Sequence, residues 1–185
     1  MSYAAAEHDR MISAIVMPCQ VVAVQLSPPR VRVQSGDWTS GWVRWHSQAA
    51  GKARHWRAPS LLEQGVLFSP SGEAGAGTFV PGLYGDAGSP PDNRDHVEVW
   101  RFDDGGSLVY DWKAKRYDIQ LPDGTVQVTV GGASVTVTPE QITAKAATIV
   151  LDGNARITGT LDVAGNITGG GTIMDTKGNS NHHTH

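Results

Sequence analysis

Hydrophobic and polar residues alternate almost without interruption over the C-terminal third of the chain. From Tyr117 onward one parity of each short segment is aliphatic, at Ile119, Leu121, Val126, Val128, Val130, Val135, Val137, Ile142, Ala144 and Ala146. The positions between them are polar, mostly threonine and glutamine. A period of two residues predicts β-strands with one apolar and one polar face. Gly-Asn turns recur at residues 153, 165 and 178, so strand-sized segments repeat through the tail.

The aliphatic face of this tail has no predicted cover within one chain, because the pattern contains neither a helix nor a second apolar layer. Exposed apolar area favours association by roughly 25 cal/mol per Å². We therefore predict that three chains intertwine as a triple-stranded β-helix, which also leaves no exposed strand edge. A two-sheet sandwich within one chain is the alternative, and the lack of aromatic residues after Tyr117 argues against it.

The residues before this tail follow a different pattern, in which glycine and proline interrupt short apolar runs. Over residues 19–92 this pattern predicts a small antiparallel barrel of about five strands. Its first strand has Val22, Val24 and Leu26 on one face. A helical segment is predicted over 1–18, with an apolar stripe at Met11, Ile12, Ile15 and Val16. Residues 93–116 are predicted as connecting strands, 117–170 as the β-helix and 171–185 as its apex. The expected fold class is all-β.

Composition argues against several classes to which the protein could belong. A formal net charge of -3 argues against a protein that coats nucleic acid, and the single Cys19 excludes an intramolecular disulfide framework. Charged residues interrupt the first seventeen positions, and no apolar run approaches ~18 residues, so we expect neither an export signal nor a membrane span. A protein of this kind that acts outside the cell has to leave by lysis or within a larger particle.

Four tryptophans are interleaved with six basic residues between positions 30 and 57, namely Trp38, Trp42, Trp45 and Trp56 with Arg30, Arg32, Arg44, Lys52, Arg54 and Arg57. Aromatic and cationic side chains mixed on a small barrel can hold single-stranded nucleic acid by stacking and phosphate contacts. Tryptophans at strand ends are more often core or protein-interface anchors. We prefer the core or interface interpretation and keep nucleic-acid binding as the alternative.

Catalytic chemistry has little support in the sequence. The chain contains no G-x-S-x-G, H-E-x-x-H or P-loop motif, and His46, His55 and His96 are scattered. We expect no enzymatic activity and name no catalytic residue. Acidic residues recur near the Gly-Asn turns, at Asp152, Asp162 and Asp175. They could bind calcium, but solvated turn residues are the preferred interpretation.

The chain ends in "NSNHHTH", which places three histidines in the last four positions. In an extended segment His183 and His185 project to the same side and His182 to the other. On a threefold axis, two histidines from each of three chains bring six imidazoles together. Six nitrogen donors suit an octahedral ion such as iron or nickel, whereas zinc prefers four ligands. His183 and His185 are therefore the predicted metal ligands if the chain is trimeric; an unstructured tail or a purification-tag remnant is the alternative.

The Trp-rich block, the "SPSG" and "PGLY" segments after it, the Val/Thr tail and the closing His-x-His together resemble the baseplate assembly protein V family. Its members are the central spikes of contractile phage tails and R-type pyocins, and the resemblance covers nearly the whole chain. It implies an N-terminal OB-fold, a triple-stranded β-helix and an apex where His183 and His185 of three chains coordinate about one iron ion per trimer. The implied contacts are a tail hub protein at the OB-fold end and the bacterial outer membrane; no nucleic acid is expected.

From these observations we expect a non-enzymatic, homotrimeric spike that pierces the bacterial outer membrane when the tail sheath contracts. It would be made in the host cytoplasm, released by lysis and located at the tail tip of a virion or pyocin. Two alternatives stay open, an OB-fold protein that binds single-stranded nucleic acid and a tail-associated cell-wall hydrolase.

Overall fold

The computed structural model describes residues 3–171, and the chain divides into two compact units, Met1–Pro122 and Asp123–His185. The elements in chain order are α1 (Tyr3–Ile15), β1 (Val16–Leu26), β2 (Pro29–Ser35), β3 (Trp38–Thr39), β4 (Arg44–Trp45), β5 (Gln64–Phe68), β6 (Thr78–Leu83), β7 (Val97–Arg101), β8 (Ser107–Asp111), β9 (Arg116–Gln120), β10 (Val126–Val130), β11 (Ala133–Val137) and β12 (Ile142–Lys145). Two short 3-10 turns, Pro70–Gly72 and Ala74–Ala76, lie between β5 and β6.

The first six strands form a sheet in the order β3-β2-β1-β5-β6-β4 that closes on itself. The long strand β1 pairs with β5 through its first half and with β2 through its second. Closure comes from Val31 of β2 and Val43, just before β4, whose backbone groups exchange hydrogen bonds of 2.8 and 2.9 Å. The result is a small closed barrel, as the sequence predicts.

One pair of barrel strands is parallel, not antiparallel as predicted for the whole barrel. β4 and β6 run in the same direction, with Arg44 opposite Thr78. The long connection over residues 46–63 and the antiparallel β5 together bring the chain back along β4 in its original direction. Sequence pattern reveals where strands lie but carries no signal for this relative direction.

The barrel core is a compact aliphatic cluster with one aromatic ring, comprising Cys19, Val21, Val31, Val33, Val43, Leu67 and Phe79. The buried residues of β1 are Cys19 and Val21, whereas Leu26 of the predicted Val22, Val24 and Leu26 face is exposed. A register irregularity between Val21 and Ala23 switches the parity of the strand, so that only Val24 of the predicted set packs against the core.

Helix α1 ends at Ile15 and the chain passes directly into β1, so Pro18 lies within the strand and not at the end of the predicted helical segment. Of the predicted apolar stripe, Met11 is half-buried whereas Ile12 and Ile15 are exposed. The helix lies against Gly72, whose φ of +72° and close approach to Met11 both require glycine: an added Cβ would lie 2.6 Å from the Met11 carbonyl oxygen.

Strands β7, β8 and β9 form a second, antiparallel sheet in the first unit. β9 pairs with β8 along its whole length, from Ser107 opposite Gln120 to Asp111 opposite Arg116. The alternation that begins at Tyr117 therefore starts within this sheet. The boundary drawn between residues 116 and 117 falls inside β9.

The second unit contains one antiparallel sheet, β10-β11-β12. Residues 146–171 follow it without a helix or a strand, and every one of them is exposed in the single chain.

Candidate trimer interface and apex

The β10-β11-β12 sheet separates its side chains into two chemically distinct faces. Cross-strand partners share a face, and the register places Val126, Val137 and Ile142 in one row and Val128, Val135 and Ala144 in the next. The opposite face carries Gln127, Thr129, Ser134, Thr136, Thr143 and Lys145. The predicted assignment of apolar and polar parity in this segment is confirmed.

The apolar face of this sheet is uncovered. Val128, Val130 and Ile142 are 64–76% exposed, although aliphatic side chains of this kind are usually buried. Neighbouring aliphatic side chains that are exposed together, on a sheet that no second layer covers, mark an interaction site. What the face requires is a second apolar surface of matching width.

Residues 146–171 also have uncovered apolar side chains, and their backbone groups have no strand partner among the described residues. Their aliphatic members are all 41–78% exposed, at Ile149, Val150, Leu151, Ile157, Leu161, Val163 and Ile167. Within the part of the chain that the structure describes, this segment pairs with no strand. Backbone amide and carbonyl groups need partners once apolar side chains are buried around them. Strands of other chains would supply both kinds of partner at once.

A second uncovered surface escapes the sequence analysis, which treats residues 93–116 only as connecting strands. Trp100, Leu108, Tyr110, Tyr117 and Ile119 lie on one face of the β7-β8-β9 sheet, as the register shows. The signal in the sequence is that Leu108 and Tyr110 share a parity within β8, and Tyr117 and Ile119 share one within β9. It becomes readable only when the pairing across two hairpins is known.

Two family matches agree with this geometry. Residues 17–84 match the family described as the type VI secretion system/phage-baseplate injector OB domain. Residues 98–169 match the family described as Gp138, beta helical trimerization domain. Over 166 residues the chain is 35% identical to the spike protein of Escherichia phage P2, in a match covering 85% of this chain and 77% of that protein. The chain belongs to the phage baseplate spike family.

The spike is thus a structural central component of a phage tail and forms a homotrimer within the baseplate. The closed barrel of β1–β6 is its OB domain, and the uncovered sheet β10-β11-β12 lies in its β-helical trimerization domain. The all-β fold class and the resemblance to the baseplate assembly protein V family are confirmed. Its place is at the tail tip of the virion.

Most of the Trp/Arg block of the spike lies outside the barrel core. Trp38, Trp42 and Trp56 are exposed, and only Trp45 packs against the core, with its ring 5.5 Å from that of Trp56. Of the predicted core or interface roles, the core role therefore applies only to Trp45, and the exposed Trp38, Trp42 and Trp56 are available for an interface.

The basic residues of the block are largely engaged within the chain. Arg57 forms a two-pronged ion pair with Glu63, with nitrogen–oxygen distances of 2.6 and 3.1 Å. Arg30, Arg32 and Arg54 donate hydrogen bonds to backbone carbonyl oxygens. Four of the six basic residues of the block therefore have a hydrogen-bond partner within the chain.

The predicted metal ligands, His183 and His185, lie outside the described residues, as do His182 and Asp175. Among residues 3–171, no three His, Cys, Asp or Glu side chains come close enough together to hold a metal ion, and this includes Asp152 and Asp162. No helix in the described part of the spike is long and apolar enough to cross a membrane.

Proposed function

We propose that the spike is the piercing tip of the tail and that contraction of the sheath drives it through the bacterial outer membrane. The work comes from the sheath, so the protein itself has to remain narrow and rigid under compression. The observation that supports this most strongly is the uncovered tail: an aliphatic sheet face followed by 26 exposed residues with no strand partner among the described residues. Three such tails wound together form a shaft with a dry interior.

The shaft owes its rigidity to shared hydrogen bonds. If the backbone partners of residues 146–171 belong to neighbouring chains, peeling one chain away breaks those bonds along the whole length. Outward-facing Gln127, Thr129, Thr136 and Thr143 keep the surface polar. A polar exterior offers lipid no large apolar patch on which the shaft could lodge.

We propose further that His183 and His185 of three chains hold one iron ion at the apex, and that His182 takes no part. The donor set fits such an ion, because six imidazole nitrogens satisfy an octahedral metal and exceed what zinc prefers. The ion would tie three chains together at the apex. Its contribution is mechanical, and the spike has no catalytic activity in this account.

The OB domain would attach the spike to a hub protein of the baseplate, through a barrel surface that includes the exposed tryptophans. The chain would be synthesised in the host cytoplasm and reach the outside within an assembled particle released by lysis.

The position of the tip after contraction tests the piercing function. The exposed Asn154 is replaced by cysteine and biotinylated, and particles carrying this spike are added to intact cells. We expect biotin to be accessible to external streptavidin before contraction, inaccessible after contraction on cells, and accessible again once the outer membrane is permeabilised. Particles contracted without cells are the control and should stay accessible. Biotin that remains accessible on the surface of intact cells would contradict the proposal.

A further inference from the structure

The two faces of the β7-β8-β9 sheet differ in how far their side chains are already covered or paired within this chain. On one face Trp100 lies beside Leu108 and Ile119, and Tyr110 lies between Tyr117 and Glu98, the one charged residue among these cross-strand partners. The rings of Tyr110 and Tyr117 are 6.3 Å apart. We call this surface, with the members Trp100, Leu108, Tyr110, Tyr117 and Ile119, the aromatic face.

The aromatic face is about half exposed, at 44–58% for Trp100, Tyr110, Tyr117 and Ile119. Since a large side chain offers roughly 200 Å² of area, these four expose on the order of 400 Å². That is comparable to the largest apolar patch of a typical monomeric protein. The face is also ordered in advance: the Trp100 indole N–H donates to Glu98 at 3.1 Å, and its ring meets that of His55 edge-on at 6.5 Å.

The opposite face carries Val97, Val99 and Val109, which are already half-buried in the single chain, and charged residues that already have partners within the chain. Arg94 donates to Asp92 at 2.8 Å and to Asp111 at 3.1 Å, and Arg116 donates to Asp118 at 2.8 Å. The Ala114 backbone N–H and the nearby positive charge of Arg94 hold the pKa of Asp111 below its ordinary value. Burying this face against protein would remove water from several ions whose pairs gain little in return.

We propose that the aromatic face is buried against the neighbouring copy of this chain, so that three such sheets form an aromatic collar. The proposal rests on the trimer and adds which face of this sheet lies inside it. The partner that covers the aromatic face is another copy of this chain, because this sheet belongs to the trimerization domain. Residues 98–169 match that domain and include most of β7 and all of β8 and β9. A threefold assembly brings three copies of the same face together. The charged face then points to solvent.

Cysteine accessibility in the full-length protein distinguishes the two faces. Tyr117→Cys lies on the aromatic face, and Gln120→Cys, three residues along the same strand, is the matched control on the charged face. Both positions are exposed in the single chain, so neither substitution disturbs the barrel core. The native Cys19 is buried and gives no background. Each variant is first shown by its mass in solution to be a trimer, and then treated with a maleimide under native conditions.

We expect Gln120→Cys to react at the rate of a free thiol and Tyr117→Cys to react at least ten times more slowly. A second pair, Ile119→Lys and Gln120→Lys, should differ in thermal stability, with the Ile119 variant melting at the lower temperature. A trimer in which Tyr117→Cys reacts as fast as Gln120→Cys would overturn the collar and leave the proposed function intact. A monomeric wild-type chain would overturn both.

Discussion

Val128 of β10 lies directly opposite Val135 of β11, on the same face of the sheet, and both side chains are largely exposed in the single chain, at 64% and 47%. A cross-strand pair of β-branched residues is what a strand pair normally buries. The pair therefore locates the missing half of the hydrophobic interior in other copies of the chain.

A charge placed on this face should prevent assembly. Val128→Asp places one unpaired carboxylate per chain in the interior of the trimer, which costs about 3–5 kcal/mol per chain. We expect the variant to lose the trimer in analytical ultracentrifugation. Thr129→Asp, one residue away on the polar face, is the control and should remain trimeric. Equal behaviour of the two variants would mean that the face is not the interface.

The apex histidines should bind metal without carrying the assembly. In His183→Ala/His185→Ala we expect elemental analysis to detect no transition metal, against about one ion per three chains in the wild type, because six imidazole donors are removed. The trimer should survive, since most apolar burial lies in the shaft and collar. His182→Ala should retain the metal. Dissociation of the double variant into monomers would contradict this division of roles.

Gly72 should be needed to position helix α1. An alanine there combines a left-handed backbone with a Cβ 2.6 Å from the Met11 carbonyl oxygen, so we expect Gly72→Ala to lower the free energy of unfolding by about 1–3 kcal/mol. Gly75→Ala is the control, because its Cβ would meet no atom within 4 Å. Differential scanning calorimetry should show a lower melting temperature only for the Gly72 variant.

The Cys19 thiol should be inert in the folded protein. Burial raises its pKa from 9.0 to about 11, so roughly one thiol in a thousand is ionised at pH 8. We expect no reaction with iodoacetamide at pH 8 until the protein unfolds. Because the unfolded thiol ionises first as the pH rises, its ionisation favours unfolding and stability falls between about pH 9 and pH 11. In Cys19→Ala this part of the alkaline decline should be absent.

The apolar face of the tail could be predicted from the sequence because the side-chain period of a strand is two, so parity alone decides which residues share a face. Val126, Val128 and Val130 needed no knowledge of the pairing partner. The same parity argument selects His183 and His185 as metal ligands, and this assignment stays a prediction.

Other features depend on the register in which the strands pair, which cannot be read from the sequence. The irregularity between Val21 and Ala23 interrupts the parity of β1, and β9 pairs with β8 although its alternation continues into the tail. The aromatic face was missed for the same reason, since Trp100, Tyr110 and Tyr117 come together only when two hairpins are aligned. Pairing between distant segments is settled by packing of the whole sheet.

The mass of the purified full-length chain in solution tests the central claim most directly. Sedimentation equilibrium, which is independent of molecular shape, should give three times the 19.7 kDa chain mass at micromolar concentration. A stable species at the mass of one chain would contradict the account, because the uncovered faces of both small sheets would then have no partner.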